Sequence, residues 1–77
     1  MSEPHYHINL LWSDEDGCWI ADVPDLRYCT TQGDTPEAAL ANVREATEGW
    51  IEAARANGLP IPEPRYRPAL YAARFAA

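Results

Sequence analysis

The first apolar residues of the chain alternate with their neighbours in steps of two, as in a β-strand. Over residues 5–12, one face of the alternation is apolar and consists of Tyr6, Ile8, Leu10 and Trp12. A polar turn over residues 13–17 ends in a glycine that can take positive φ, and residues 18–23 then resume a strand pattern. The two segments predict a β-hairpin.

The second predicted strand carries apolar residues on both faces. Trp19, Ala21 and Val23 share one face, and an isoleucine lies on the other, a distribution typical of a central strand or of one covered by a partner. Pro24 ends the strand because proline has no N–H for the ladder. After a connecting loop, residues 28–32 predict a short third strand.

A helix follows the third strand directly. Thr35 can cap its first turn, Pro36 suits the first helical position, and apolar residues then recur at spacings of three and four. Gly58 supplies a stop signal. The predicted helix over 36–57 is about 33 Å long, which exceeds the length of a five- or six-residue strand. We therefore expect its end, around Trp50, to pack on the C-terminal tail or on a second subunit.

The order of these elements is β-β-β-α, which predicts an α+β domain with a three-stranded antiparallel sheet and one long helix. Four prolines between residues 60 and 68 mark an extended segment. We assign residues 1–64 to the domain, and residues 65–77 to a short basic, aromatic tail that either belongs to it or contacts another subunit. A core this small favours self-association. The candidate contacts between subunits are Trp50, Arg65, Tyr66, Tyr71 and Phe75.

The charges divide the 77-residue chain into an acidic body and a basic tail. The net charge is −6, and all twelve acidic residues lie within residues 1–64, together with three of the six arginines. An acidic body repels phosphate backbones and attracts basic surfaces. We therefore expect a basic protein partner and no direct DNA binding. Without a signal sequence or a spanning apolar run, the chain is predicted to be cytoplasmic, with Cys18 and Cys29 as buried free thiols.

Two runs of residues carry a family resemblance: Asp16-Gly17-x-Trp19-x-Ala21-x-Val23-Pro24-Asp25-Leu26 and Cys29-x-Thr31-Gln32-Gly33-Asp34-Thr35-x-Glu37-x-Ala39-Leu40-x-Asn42. Trp50 and the segment 60–64 continue the pattern. Over residues 6–64 the chain resembles the HicB antitoxin family. The joint pattern is specific, although each dipeptide alone is weak.

The resemblance implies a degenerate RNase H-like β-β-β-α domain, with or without a further strand, that has no nuclease activity. In that family the domain binds a small basic mRNA-cleaving toxin of the HicA type and masks its catalytic surface. Family members often add a C-terminal DNA-binding segment, for which the thirteen residues after position 64 are too short. Shortened relatives also occur as stand-alone oligomers without an assigned toxin, so a homo-oligomer with a regulatory or ligand-binding role is the alternative function.

Possible catalytic chemistry is limited to two incomplete sets of residues. Five acids could suggest a two-metal nuclease: Asp14, Glu15, Asp16, Asp22 and Asp25. Three of them lie in the hairpin turn, where acids are expected for backbone reasons. His5 and His7 could bind zinc, but no spacing completes such a site. We expect neither an enzyme nor a cofactor or metal site.

The candidate binding elements are the loop after the second strand and the two tryptophans beside the hairpin turn, since residues that flank such a turn are often partly exposed. Tryptophan is typical of interface anchors, and a rigid loop with an acid and an apolar residue could offer both charge and contact area. The other interpretation of this loop is a cap over the sheet. The candidate partner contacts are Trp12, Trp19, Asp22, Pro24, Asp25 and Leu26.

Overall fold

The computed structural model describes residues 5–65 and confirms the predicted α+β arrangement. Its elements are β1 (Asn9–Ser13), β2 (Cys18–Asp22), β3 (Thr30–Gly33) and α1 (Pro36–Ala56). The strands form one antiparallel sheet in the order β1-β2-β3. The predictions for Tyr66, Tyr71 and Phe75 lie outside the described residues.

The hairpin between β1 and β2 closes as the sequence predicts. The Gly17 amide donates a hydrogen bond to the Ser13 carbonyl oxygen at 2.8 Å, and Gly17 has a φ of 65°. Asn9 pairs with Asp22 at the far end of the ladder, so β1 begins four residues later than predicted. Because β2 ends at Asp22, its ladder with β1 does not extend to residues 5–8.

The loop from β2 to β3 is tightly hydrogen-bonded. The Val23 amide donates to the Cys29 carbonyl at 3.0 Å, the Leu26 amide to the Val23 carbonyl at 3.1 Å, and the Cys29 amide to the Leu26 carbonyl at 3.2 Å. This loop extends through Tyr28, which has a φ of 63°. The third strand therefore begins at Thr30, two residues later than predicted.

Both ends of α1 are capped by the residues that the sequence indicates. The Ala38 amide donates to the Thr35 hydroxyl at 3.0 Å at the start of the helix. At its end, the Gly58 amide donates to the Arg55 carbonyl at 3.2 Å and the Leu59 amide to the Ala54 carbonyl at 2.8 Å, while Gly58 has a φ of 67°. This is the Schellman arrangement, in which a glycine in the left-handed region ends the helix.

The core lies between α1 and the helix-facing side of β2 and β3. Its buried cluster consists of Ala21, Val23, Leu26, Cys29, Ala39 and Val43. Helix α1 packs mainly on β2 and β3 and makes few contacts with β1. As a result, Leu10 and Trp12 stay 42% and 47% exposed on the helix side of the sheet. Leu11 lies on the other side of the sheet and is 46% exposed.

The C-terminal part of α1 is buried within the same chain. Ile51 and Ala54 are both buried, and the segment after the helix turns back towards the start of β1. There the Tyr6 hydroxyl donates to the Pro62 carbonyl, and the Arg65 amide donates to the Asp25 carboxylate at 3.2 Å. The segment after the helix thereby contacts Tyr6 through Pro62 and the loop between β2 and β3 through Arg65.

Candidate partner interface

Two tryptophans face each other across the β1–β2 ladder. Trp12 pairs with Trp19 in the register, and their ring centroids are 5.6 Å apart at an interplanar angle of 68°. Edge-to-face contacts of this kind stabilise an aromatic pair. Trp19 packs against the core, whereas Trp12 is 47% exposed because α1 does not cover β1. The pair therefore offers an aromatic surface that is held in a fixed orientation.

Three exposed acids follow Trp12 in the hairpin turn. Asp14, Glu15 and Asp16 form the hairpin turn, and all three are exposed. The indole Nε1 of Trp12 donates to Asp14 Oδ1 at 2.8 Å, which places this carboxylate beside the ring. We call the five residues Trp12, Asp14, Glu15, Asp16 and Trp19 the hairpin-tip surface. It combines a large apolar contact with negative charge.

The acids at the other end of β2 already have partners within the chain. Asp22 accepts hydrogen bonds from the Asn9 amide nitrogen at 3.2 Å and from the Thr30 hydroxyl at 3.4 Å. Asp25 accepts from the Arg65 backbone amide, and Pro24 beside it is half-buried. These groups hold neighbouring strands and the C-terminal segment in place, so they have less capacity for an external partner.

The loop residue Leu26 does not lie on the surface. Its side chain is 1% exposed and belongs to the core cluster, so it offers no contact area to a partner. The loop encloses Leu26 because its three backbone hydrogen bonds turn the chain inward over the end of the sheet. The burial of Leu26 agrees with the interpretation of this loop as a cap, and a contact of Leu26 with a partner stays a prediction. The other candidate residues do not form one site, because they lie at the two ends of β2. At the hairpin end are Trp12 and Trp19, and at the other end are Asp22, Pro24 and Asp25.

Comparison with known proteins assigns the family. Residues 6–73 match the model of the HicB-like antitoxin of bacterial toxin-antitoxin systems. The chain belongs to the HicB-like antitoxin family. This confirms the resemblance seen in the sequence. No solved structure gave a significant match, so the RNase H-like relationship of the fold stays a prediction.

Three proteins that share the name UPF0150 are similar to this HicB-like chain. UPF0150 protein Ta0767 of Thermoplasma acidophilum is 40% identical over 53 residues, which cover 69% of this chain and 77% of the relative. Two Synechocystis proteins are also similar. UPF0150 protein ssr1258 is 36% identical over a stretch that covers 68% of this chain and 74% of the relative. UPF0150 protein ssr1765 is 43% identical over a stretch that covers 70% of this chain and 68% of the relative.

One exposed residue of this HicB-like chain was not identified from the sequence. Tyr28 is 92% exposed and adopts the left-handed backbone conformation, with a φ of 63°. Its ring lies 5.9 Å from the guanidinium carbon of Arg27. Tyrosine in this conformation is disfavoured by its Cβ, and no sequence pattern marks it, because glycine and asparagine are the usual residues there.

Replacing Tyr28 with glycine is expected to stabilise the chain by about 0.5–1 kcal/mol. Glycine relieves the steric cost of the left-handed conformation but loses more backbone entropy on folding, and a side chain that is 92% exposed contributes little packing. Urea unfolding measures the change. The Tyr28→Ala variant is the control, because alanine removes the ring and keeps the Cβ. Equal stability of the two variants would contradict the backbone explanation.

Of the residues predicted to contact another subunit, Trp50 and Arg65 are among the described residues. Trp50 packs against the core, and its Nε1 donates to the Arg27 carbonyl at 3.2 Å. Arg65 forms an ion pair with Glu63 at 3.8 Å, and both side chains are 81% exposed. Exposed pairs of this kind add little stability. Trp50 therefore has an internal role, and its contact with another subunit stays a prediction.

The histidines and acids considered as metal ligands in the sequence form no common group among residues 5–65. Within residues 5–65, no three His, Cys, Asp or Glu side chains are grouped so that they could hold a metal ion. His7 Nε2 lies 2.8 Å from Asn9 Oδ1, and Cys18 and Cys29 are buried and free. In the same part of the chain, no helix has the length and apolar character needed to cross a membrane.

Proposed function

We propose that this chain is an antitoxin that neutralises a small basic toxin of the HicA type by forming a protein complex with it in the cytoplasm. The proposal rests on membership of the HicB-like antitoxin family. The single structural observation that supports it is the hairpin-tip surface, where a half-exposed tryptophan lies beside three exposed acids.

The hairpin-tip surface has the two properties that binding to a basic protein needs. Exposed carboxylates attract a basic partner and increase its association rate, an effect that salt screens. The Trp12 ring supplies the apolar area that slows dissociation, since tryptophan is among the residues that dominate binding energies. Its edge-to-face contact with Trp19 and its hydrogen bond to Asp14 fix the ring before binding, which reduces the entropy lost in the complex.

This mode of inhibition requires no catalytic group in the antitoxin. A bound protein covers the toxin surface that would otherwise contact mRNA, and it remains unchanged itself. The acidic groups of the hairpin tip also resemble a phosphate backbone in charge. They therefore compete for the same basic side chains of the toxin that would hold RNA.

The proposal predicts a short reading frame for a basic protein beside the gene, and it is tested by co-expressing the two proteins. A purified complex and loss of RNA cleavage by the toxin are the expected results. An RNA-cleaving toxin that stays fully active in the presence of an excess of the folded chain would overturn the antitoxin role.

Two variants test whether the hairpin tip is the binding surface. Replacing Trp12 with alanine is expected to weaken the complex by about 2 kcal/mol, or roughly 30-fold in Kd. Neutralising the turn with Asp14→Asn, Glu15→Gln and Asp16→Asn should lower the association rate and its dependence on salt. Titration calorimetry and stopped-flow fluorescence measure these effects.

The matched control for the neutralised turn changes acids on the helix. Glu48 and Glu52 are exposed on α1, and their replacement by glutamine removes charge without touching the hairpin tip. Circular dichroism shows whether each variant is folded. If the helix variants slow association as much as the turn variants do, the attraction belongs to the whole acidic body and the hairpin tip is not the site.

A further inference from the structure

An asparagine followed by a glycine lies at the end of helix α1. Of the three asparagines in the chain, Asn57 alone precedes a glycine, whereas Asn9 precedes a leucine and Asn42 a valine. Asn57 and Gly58 are both exposed. Because glycine has no side chain to shield its backbone nitrogen and restricts the backbone least, this nitrogen can approach the preceding side chain easily. The pair therefore has the sequence that favours an intramolecular reaction.

The same two residues form the cap of the helix. The Gly58 amide donates to the Arg55 carbonyl oxygen at 3.2 Å, and Asn57 Nδ2 donates to the Ala53 carbonyl oxygen at 2.8 Å. While these hydrogen bonds are made, the backbone nitrogen of Gly58 and the side-chain amide of Asn57 are each held by a helix carbonyl. The closed cap therefore protects the pair, and a reaction between them requires that the cap open.

Opening of this cap disturbs little of the fold. Helix ends fray, and exposed terminal turns open with free energies far below that of global unfolding. Leu59, whose amide closes the last bond of the cap, has a side chain that is 59% exposed. Its displacement therefore removes little apolar area from the core. The native chain is expected to visit the open cap while its sheet and the rest of α1 stay folded.

We propose that Asn57 is a site of spontaneous deamidation, and that opening of the helix cap sets the rate. The Gly58 nitrogen attacks Asn57 Cγ, and the new N–Cγ bond closes a succinimide ring. The Cγ–Nδ2 bond breaks, and Nδ2 leaves as ammonia with the proton that the Gly58 nitrogen loses. Water then opens the ring at either carbonyl carbon, which leaves aspartate or isoaspartate in place of Asn57. Neither step needs an oxidant, a reductant or an enzyme.

Both products weaken the end of the helix. They lack the Nδ2 donor that satisfies the Ala53 carbonyl, and they place a carboxylate at the helix C-terminus, where the macrodipole is already negative. Isoaspartate also lengthens the main chain, which shifts Gly58 and Leu59 relative to the carbonyls that accept their hydrogen bonds. We therefore expect deamidation to loosen the last turn of α1 and the start of the segment that follows it.

The deamidation site lies at the end of the helix that is remote from the hairpin-tip surface. Trp19 pairs with Gly33, just before the first turn of α1, so the hairpin tip lies near the start of the helix. The helix spans 21 residues, which places Asn57 about 30 Å further along its axis. The proposal is therefore independent of the antitoxin role, and a deamidated chain should still present the hairpin tip.

Deamidation is measured on the full chain without any partner. The folded protein is incubated at neutral and mildly alkaline pH, digested with trypsin and analysed by mass spectrometry. Cleavage after Arg55 and Arg65 releases residues 56–65, a peptide in which Asn57 carries the one side-chain amide. Its mass should rise by the difference between an amide and an acid, and the isoaspartate form should separate by chromatography. Asn9 and Asn42 are internal controls and should stay unchanged over the same period.

Control of the rate by the cap is tested by comparing the folded chain with the unfolded chain. In urea that unfolds the protein the cap bonds are absent, so Asn57 should react several-fold faster than in the native chain. The Asn57→Gln variant should not react over the same period, because its longer side chain would have to close a larger ring. Circular dichroism shows that this variant is folded.

The Asn57→Asp variant reproduces one product and should unfold at a lower urea concentration than the wild type. A native chain in which Asn57 stays intact for as long as Asn42 would overturn the proposal. Equal rates at Asn57 in the native and the unfolded chain would contradict control by the cap, and an unchanged urea midpoint for Asn57→Asp would contradict the effect on the helix end.

Discussion

Replacing Gly33 with alanine is expected to lower the free energy of unfolding by about 3 kcal/mol or more. Gly33 is the last residue of β3, directly under the first turns of α1. A Cβ added there would overlap the backbone nitrogen of Ala39 and lie 2.8 Å from the carbonyl carbon of Ala38. Because these are backbone atoms, relief requires that the helix move away from the sheet. Ala39 and Val43 would then lose their core contacts.

The same substitution at Gly49 is the control, and it should act in the opposite direction. Gly49 lies inside α1, and no heavy atom is within 4 Å of the position of an added Cβ. Alanine there should stabilise the chain by about 1 kcal/mol, because glycine is a poor helix former. Urea unfolding followed by circular dichroism measures both variants. A destabilisation at Gly49 as large as that at Gly33 would contradict the explanation by close contact.

The fold was predictable because several independent local signals agree. The alternation over the hairpin, the turn ending in Gly17, and the capping residues Thr35 and Gly58 each have one structural meaning. None of them requires knowledge of distant contacts. The strand boundaries were less accurate, because the start of β1 depends on where β2 ends and the start of β3 depends on the backbone of Tyr28.

The candidate site was only partly predictable, because exposure depends on the position of the helix. Alternation places Leu10 and Trp12 on the apolar face of β1, which ordinarily indicates core. In the structure α1 covers β2 and β3, so this end of the apolar face stays open. Sequence periodicity defines the faces of a strand, but it does not show how many strands one helix can cover.

The family pattern identifies a class of partner but not the surface that binds it. Asp22 and Asp25 are part of the same run of residues as Trp19, yet they form hydrogen bonds within the chain. The exposed turn acids are closer to the tryptophan pair. A residue can therefore belong to a family pattern because it stabilises the fold, and only the three-dimensional contacts separate this role from binding.

Replacing Leu26 with alanine separates these two roles directly. Leu26 is among the four largest fully buried side chains, so its truncation should lower the free energy of unfolding by about 3 kcal/mol. For a chain of 77 residues, whose total stability is expected to be about 4–12 kcal/mol, that is a substantial fraction.

The loss of stability in Leu26→Ala should appear in the isolated chain, without any partner. Leu59→Ala is the control, since Leu59 is 59% exposed and its truncation should cost about 0.5 kcal/mol or less. Both are measured by urea unfolding, and complex formation is then compared at a temperature where Leu26→Ala is still folded. If Leu26 acts only through the core, the folded variant binds the toxin as wild type does. A folded, fully stable Leu26→Ala chain with weakened binding would instead place Leu26 in the interface.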